Sequence, residues 1–283
     1  MKIPFQGVII DGLNVSDDGY DWKNRLIITN GRKHDQCLAN VFVKVKNGIT
    51  EGGIKQSENF GESQEIAAIF LSCYQLITNS RMPKIIENTG GGTEIDEQSI
   101  SSTDFPLSMG DSRDPPSNRI SIDETMSNIQ KTIPLFDTVM NIIDSKSKHR
   151  LDTSLVMYYR SWRHIFAVEN FLNLVTSLEA LFSEGTEIRQ TLSLRTAIFT
   201  ETDVTKRKEL FEYLKKMYKD RSNLVHGSDV SLNPLSDYTM HEVSLRKIVR
   251  KSLINYIDLA SKGKTKKEII VHIDDLALGK ESP

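Results

Sequence analysis

The sequence predicts a mainly α protein in two parts, a small α+β domain at the N-terminus followed by a helical bundle. Three observations carry that reading. Apolar residues recur at three- and four-residue spacings from Asp123 to Leu278, the period of helices that each bury one face. Well before them, Val41, Val43 and Val45 alternate with Lys44 and Lys46, as in a half-buried strand. Between the two patterns, residues 88–119 are rich in Gly, Ser, Asp and Pro and hold too few apolar groups to offset the entropy of ordering them. The charge changes sign across this segment: residues 1–119 carry 12 basic and 16 acidic side chains, residues 120–283 carry 24 and 22. The expected organisation is a domain of unassigned role over 1–87, a flexible linker or long loop over 88–119, and a helical domain over 120–283.

Each element follows from local pattern. Arg25–Thr29 runs into Asn30-Gly31 and Val41–Lys46 into Asn47-Gly48, strands ending in turn dipeptides, so residues 2–50 are expected to form a sheet of three or four strands. Glu65–Asn79 has a broad apolar face and stops before Pro83, a helix by pattern. Asp123–Ser145 reads as one helix or two joined near Pro134. Asp152–Glu184 places Leu155, Tyr159, Trp162, Phe166, Leu172, Val175, Leu178 and Phe182 in core stripes. Glu187–Phe199, Asp203–His226, Asp237–Lys262 and Thr265–Leu278 continue the pattern. Gly185, Gly227, Gly263 and Gly279 stand where helices should terminate.

Composition excludes several classes. With 36 basic against 38 acidic residues and a formal charge of −2, the chain is no highly basic, histone-like binder, although a local basic surface stays open. The longest aliphatic or aromatic run, Ile66–Leu71, is six residues, far short of the ~18 that span a bilayer; no membrane partner is expected. Pro4 and Asp11 interrupt the N-terminus before an apolar leader develops. Cys37 and Cys73 make no disulfide or metal pattern, so the expected location is the cytoplasm. Asp17–Asp21 lacks the alternating ligands and closing Glu of a calcium loop. Gly90–Gly92 lacks the Gly-Lys-Ser/Thr of a phosphate loop, and His164 belongs to a helix of core periodicity. No metal and no cofactor is expected.

The informative stretch is Tyr218–Gly227, which contains Arg221 and, five positions on, His226. The spacing alone is weak, since 14 arginines and 6 histidines in 283 positions give about 0.3 such pairs by chance. Context is stronger. Leu210, Leu214, Met217, Arg221 and Val225 share one helical face, so a cation stands in an apolar stripe, where burial is costly unless it is paired. Five residues of helix rise ~7.5 Å and turn ~140°. Either the helix ends between Arg221 and His226, which Gly227 favours, or the two face different neighbours.

The runs FLNLVTSLEALFSE (171–184), LSLRTAI (192–198) and LKKMYKDRSNLVHG (214–227), in consecutive helices, resemble the Apea-like branch of the HEPN domains over roughly 150–283. The resemblance implies an α-helical bundle, many of whose members are metal-independent, dimeric endoribonucleases of toxin–antitoxin, abortive-infection and other antiviral systems. It also implies that Arg221 and His226 are the catalytic pair, matching an Arg followed by four to six residues and His. Ser222 takes the place of the polar residue that often follows the Arg, where Asn, Asp or His is more usual, and Asn223 stands beside it.

The chemistry agrees with those residue types. Metal-free RNA cleavage needs a base for the 2′-hydroxyl, an acid for the leaving 5′-oxygen and positive charge for the phosphorane-like transition state. His226 can be base or acid near neutrality, and Arg221 supplies a fixed cation. One copy lacks the second acid–base group, which a two-fold dimer provides. Glu179 is the candidate orienting partner, or a structural partner of Arg195 or Arg221. Lys215, Lys216, Lys219, Arg246 and Arg250 are candidates for tracking an RNA backbone, and Tyr218 for stacking or packing. The alternative to an enzyme is a non-catalytic HEPN scaffold that binds a protein or nucleic acid. A neutralising or sensor partner is possible in either case.

Overall fold

The computed structural model describes residues 4–11, 20–22, 26–30, 38–44, 56–79, 84–94, 122–145, 149–162, 167–183, 187–226 and 235–280, with side chains over 65–79, 123–145, 149–162, 167–183, 187–226 and 241–280. The chain divides into two compact units, Met1–Pro134 and Leu135–Pro283. The described residues are mainly α-helical.

In the first unit, β1 (Pro4–Asp11), β2 (Tyr20–Trp22), β3 (Leu26–Asn30), β4 (Leu38–Lys44) and β5 (Lys84–Glu94) pair antiparallel in the order β2-β3-β4-β1-β5. Val8 stands opposite Val41 in the β1/β4 register. The helix α1 (Gln56–Thr78) lies against β1, β4 and β5. It starts ahead of Glu65 because residues 56–64 are mostly polar, and apolar periodicity cannot detect a polar stretch of helix. From Ala67 to Leu76 every residue is buried, as in a helix packed on all sides. Burial pushes the Cys73 thiol far up, so it behaves as a packing group. Of the segment expected to be linker, residues 88–94 belong to β5 and residues 95–119 lie outside the described residues. Cys37 and Asp17–Gly19 also lie outside them.

The helix α2 (Ile122–Asp144) runs through Pro134 without a break, which decides between the two readings of that stretch. Asp123 and Glu124 in its first turn complement the positive end of the helix dipole.

The second unit holds α3 (Leu151–Arg160), α4 (Ala167–Phe182), α5 (Ile188–Thr200), α6 (Val204–His226), α7 (Leu235–Ser261) and α8 (Lys266–Ala277). Packed against α3, α5, α6 and α7, α4 is the central element, and its Phe171, Leu174, Leu178, Leu181 and Phe182 are each no more than 1% exposed. Phe182 meets Phe199 and Tyr256 edge-on, with centroids 5.4 and 6.5 Å away. Where α3 crosses α4, the hydroxyls of Ser154 and Ser177 each donate to the other residue's carbonyl at 2.9 Å. Small side chains allow that approach.

Asp152–Glu184 is not one continuous helix: α3 stops at Arg160 and α4 starts at Ala167. The Ser161 carbonyl, freed at the end of α3, accepts from Arg246 of α7 at 2.7 Å. His164 and Phe166 lie outside the described residues. Thr265 caps α8 reciprocally with Glu268, its hydroxyl accepting from the Glu268 N–H while the Glu268 carboxylate accepts from the Thr265 N–H at 2.7 Å. Gly263 and Gly279 follow α7 and α8 at φ 84° and 68°, the left-handed turn that ends a helix. Gly185 and Gly227 are outside the described residues. Among the described residues no helix is long and apolar enough to cross a membrane.

Candidate functional site

The motif occupies the C-terminal end of α6, which stays helical from Arg221 through His226. The expectation that the helix ends between them is therefore corrected. On an unbroken helix five residues turn the side chains ~140° apart, so the two face different neighbours. Along the inner face, Leu214 and Met217 are 4% and 1% exposed while Val225 is 53% exposed. The core stripe thus runs out into solvent at the last turn.

Arg221 is half-buried on that stripe. Its Nη2 donates to Oε2 of Glu179 at 3.2 Å, a contact from α6 to α4. The guanidinium carbon stands 5.9 Å from the ring centre of Tyr218. The Tyr218 phenol is pushed up, first by burial and then by the charge of Glu179. Arg221, Glu179 and Tyr218 thus come together, and of the two partners considered for Glu179 the structure selects Arg221. His226 is exposed at the helix end, with Ser222 and Asn223 half-buried between.

The remaining cations separate into surface and interior. Lys216 and Lys219 are exposed on α6. Lys215 pairs with Glu212 at 3.3 Å and lies 4.9 Å over the Phe211 ring, so part of its charge is already answered. On α7, Lys247 is exposed and Lys251 pairs with Glu201 at 2.9 Å.

Arg246 is a correction: it does not belong to an RNA-tracking surface. It is 6% exposed, donates to the Ser161 hydroxyl at 2.6 Å and to its carbonyl, forms an ion pair with Glu242 and stacks 3.8 Å over Trp162. Asn170 adds a bond to Glu242 at 3.3 Å. Arg250 is half-buried, and its charge acts with that of Arg246 on the buried Tyr158 phenol. Trp162 belongs to a core stripe by sequence pattern, whereas Ser161, Asn170 and Glu242 carry no such mark.

Arg195 is structural, as its place in an apolar face suggests. It grips both oxygens of Asp274 at 2.9 Å and donates to the Phe182 carbonyl at 3.0 Å, joining α5, α8 and the end of α4. Set beside these two, Arg221 differs in its hydrogen bonding. Arg195 and Arg246 each distribute several donors among fixed acceptors, whereas Arg221 donates a single hydrogen bond to the described residues. A guanidinium carries five N–H donors, so most of the Arg221 fork is uncommitted there.

A recess of about 210 Å³ between α5, α6 and α8, lined by residues including Leu194, Ile198, Arg207, Phe211 and Leu276, lies near the other end of α6. No motif residue lines it. Among the described residues no group of three or more His, Cys, Asp or Glu is placed to hold a metal ion. No family model, no curated protein and no solved structure matches the chain.

Proposed function

We propose that the protein is a metal-independent endoribonuclease of HEPN type, acting in antiviral defence or toxin–antitoxin growth arrest in the cytoplasm, with an Apea-like domain in the helical second unit and a small α+β sensing domain in the first. The observation that carries the reading is that Arg221 spends a single hydrogen bond on the described residues, on the same helix as an exposed imidazole, His226. With a second copy's His226 brought to this end of α6, a phosphodiester would meet a guanidinium with donors left for it and an imidazole for proton transfer.

The divergence of the two side chains on one helix calls for a second copy. In a homodimer or higher homo-oligomer, one His226 takes the proton of the ribose 2′-hydroxyl as O2′ attacks phosphorus. The second copy's imidazole, protonated, delivers its proton to the 5′-oxygen as the P–O5′ bond breaks. The Arg221 fork stabilises the charge gathering on the phosphorane oxygens. The products are a 2′,3′-cyclic phosphate and a 5′-hydroxyl. Lys216 and Lys219, both exposed, and to a lesser degree Lys215 and Arg250, are suited to backbone contacts.

The test is RNA cleavage by the purified full chain in EDTA, using structured and unstructured RNAs. Arg221→Ala and His226→Ala are each expected to lower the rate at least ~100-fold while the circular dichroism spectrum is retained. Equal cleavage by the His226→Ala protein, or none by any oligomer of the wild type, would overturn the enzyme. One observation favours a second reading, a non-catalytic HEPN scaffold for a protein or nucleic-acid partner: the Arg221–Glu179 pair ties α6 to α4, a service to the fold that needs no substrate.

A further inference from the structure

The contacts of Glu179 separate two effects of its carboxylate. It is 17% exposed in its side chain against 24% for Arg221, so both groups of the pair keep an edge toward solvent. It holds the fork through one nitrogen, at 3.2 Å. The Tyr218 ring lies 5.9 Å from the guanidinium carbon, on the neighbouring turn of the same helix face. An arginine with its remaining donors free has many rotamers to lose when it binds an anion. A single firm acceptor removes much of that freedom before the anion arrives and leaves the rest of the fork available. The same carboxylate is a negative charge within a few ångströms of where a phosphodiester would sit against the fork, and it repels it.

We infer that Glu179 is a positioning residue with opposed effects on the two halves of catalysis: it aims Arg221, raising turnover, and its charge loosens the hold of the site on a phosphodiester. The inference rests on the endoribonuclease reading for turnover but not for anion binding.

The variants Glu179→Gln and Tyr218→Phe, in the full chain, separate the two effects. Binding is read with a 2′-deoxy oligonucleotide, which lacks the attacking hydroxyl, and turnover with the matching RNA. Glu179→Gln is expected to bind the deoxy strand about fivefold more tightly, from removal of a like charge at a partly screened site, and to turn over RNA about tenfold more slowly. Tyr218→Phe, which keeps both the Glu179 charge and the ring beside the guanidinium, should leave deoxy binding at the wild-type value. A purely structural Glu179 gives a different result, in which kcat falls with the folded fraction and affinity does not tighten. Wild-type affinity, or weaker binding, in Glu179→Gln overturns the inference, and so does wild-type turnover in that variant. If the wild type cleaves no RNA, the enzyme reading fails by itself. Tighter deoxy binding in Glu179→Gln with loss of binding in Arg221→Ala then still supports the charge effect, and unchanged binding rejects it.

Discussion

Arg246 and Arg221 stand on consecutive helices of the same unit, each beside a glutamate and an aromatic ring, yet they do different work. Arg246 is sealed in, with the Ser161 hydroxyl and carbonyl, the Glu242 carboxylate and the Trp162 face all engaged. Arg221 has Glu179 at 3.2 Å and the Tyr218 ring centre 5.9 Å away. Arg195 stands between them, its fork filled by Asp274 and the Phe182 carbonyl but opposite a carboxylate whose side chain is 46% exposed. Neither charge nor residue type distinguishes the three. What distinguishes them is how many of the guanidinium donors the fold has already taken, because a saturated fork has nothing left for a ligand.

That comparison orders the stability losses on truncation to alanine. Arg246→Ala should cost most, about 3 kcal/mol, since it leaves the half-buried Glu242 carboxylate and the Ser161 hydroxyl and carbonyl without their partner and removes the stack on Trp162. Arg195→Ala should cost about 2 kcal/mol, because the half-exposed Asp274 can rehydrate. Arg221→Ala should cost about 1 kcal/mol or less, since a partly exposed pair with a single hydrogen bond is weak. Urea unfolding midpoints at constant m report all three. RNA cleavage should follow the opposite order, lost in Arg221→Ala and retained in proportion to the folded fraction in Arg195→Ala. A loss of stability in Arg221→Ala equal to that in Arg246→Ala would erase the distinction.

The sequence was most readable where local rules act and least where distant residues decide. The ends of α5 and α6 follow from apolar stripes, and those of α7 and α8 also from Gly263, Thr265 and Gly279, signals that operate within a few residues. The break between α3 and α4 depends on Arg246 reaching the Ser161 carbonyl from 85 residues away, which no local window contains. Arg246 itself carried a signal that its basic neighbours masked. It lies on one helical stripe with Val249, Leu253 and Tyr256, each 0% exposed, while the adjacent Lys247, turned 100° away, is exposed. A pair of adjacent cations on a helix cannot both face one surface, so the members had to be sorted by stripe. Within the candidate site, Arg221 in an apolar face correctly implied a charged partner and Glu179 was among those considered. The run Asp203–His226 was legible as helical periodicity and α6 keeps it, but the Gly227 stop signal, which tolerates a helix end one or two residues to either side, left open an earlier end between Arg221 and His226.

The histidines offer the same contrast with a smaller effect. His226 is exposed at a helix end, whereas His149 is 5% exposed just before α3, its Nδ1 3.1 Å from the Tyr256 hydroxyl. Burial lowers the pKa of His149 below its usual 6.5, and the charge of Lys266 lowers it further. The unfolded chain therefore takes up the proton at higher pH than the folded one, and protonation favours unfolding. The contribution is fully present above pH 6.5, the unfolded value, and is lost as the pH falls through the lower folded value. The neutral ring can accept the Tyr256 proton at Nδ1, while the charged ring is a donor at both nitrogens and cannot. The urea midpoint should accordingly drop between pH 7 and pH 5, and His149→Gln, which keeps an acceptor but does not titrate, should flatten that slope. A slope that survives His149→Gln unchanged would show that His149 is not its source.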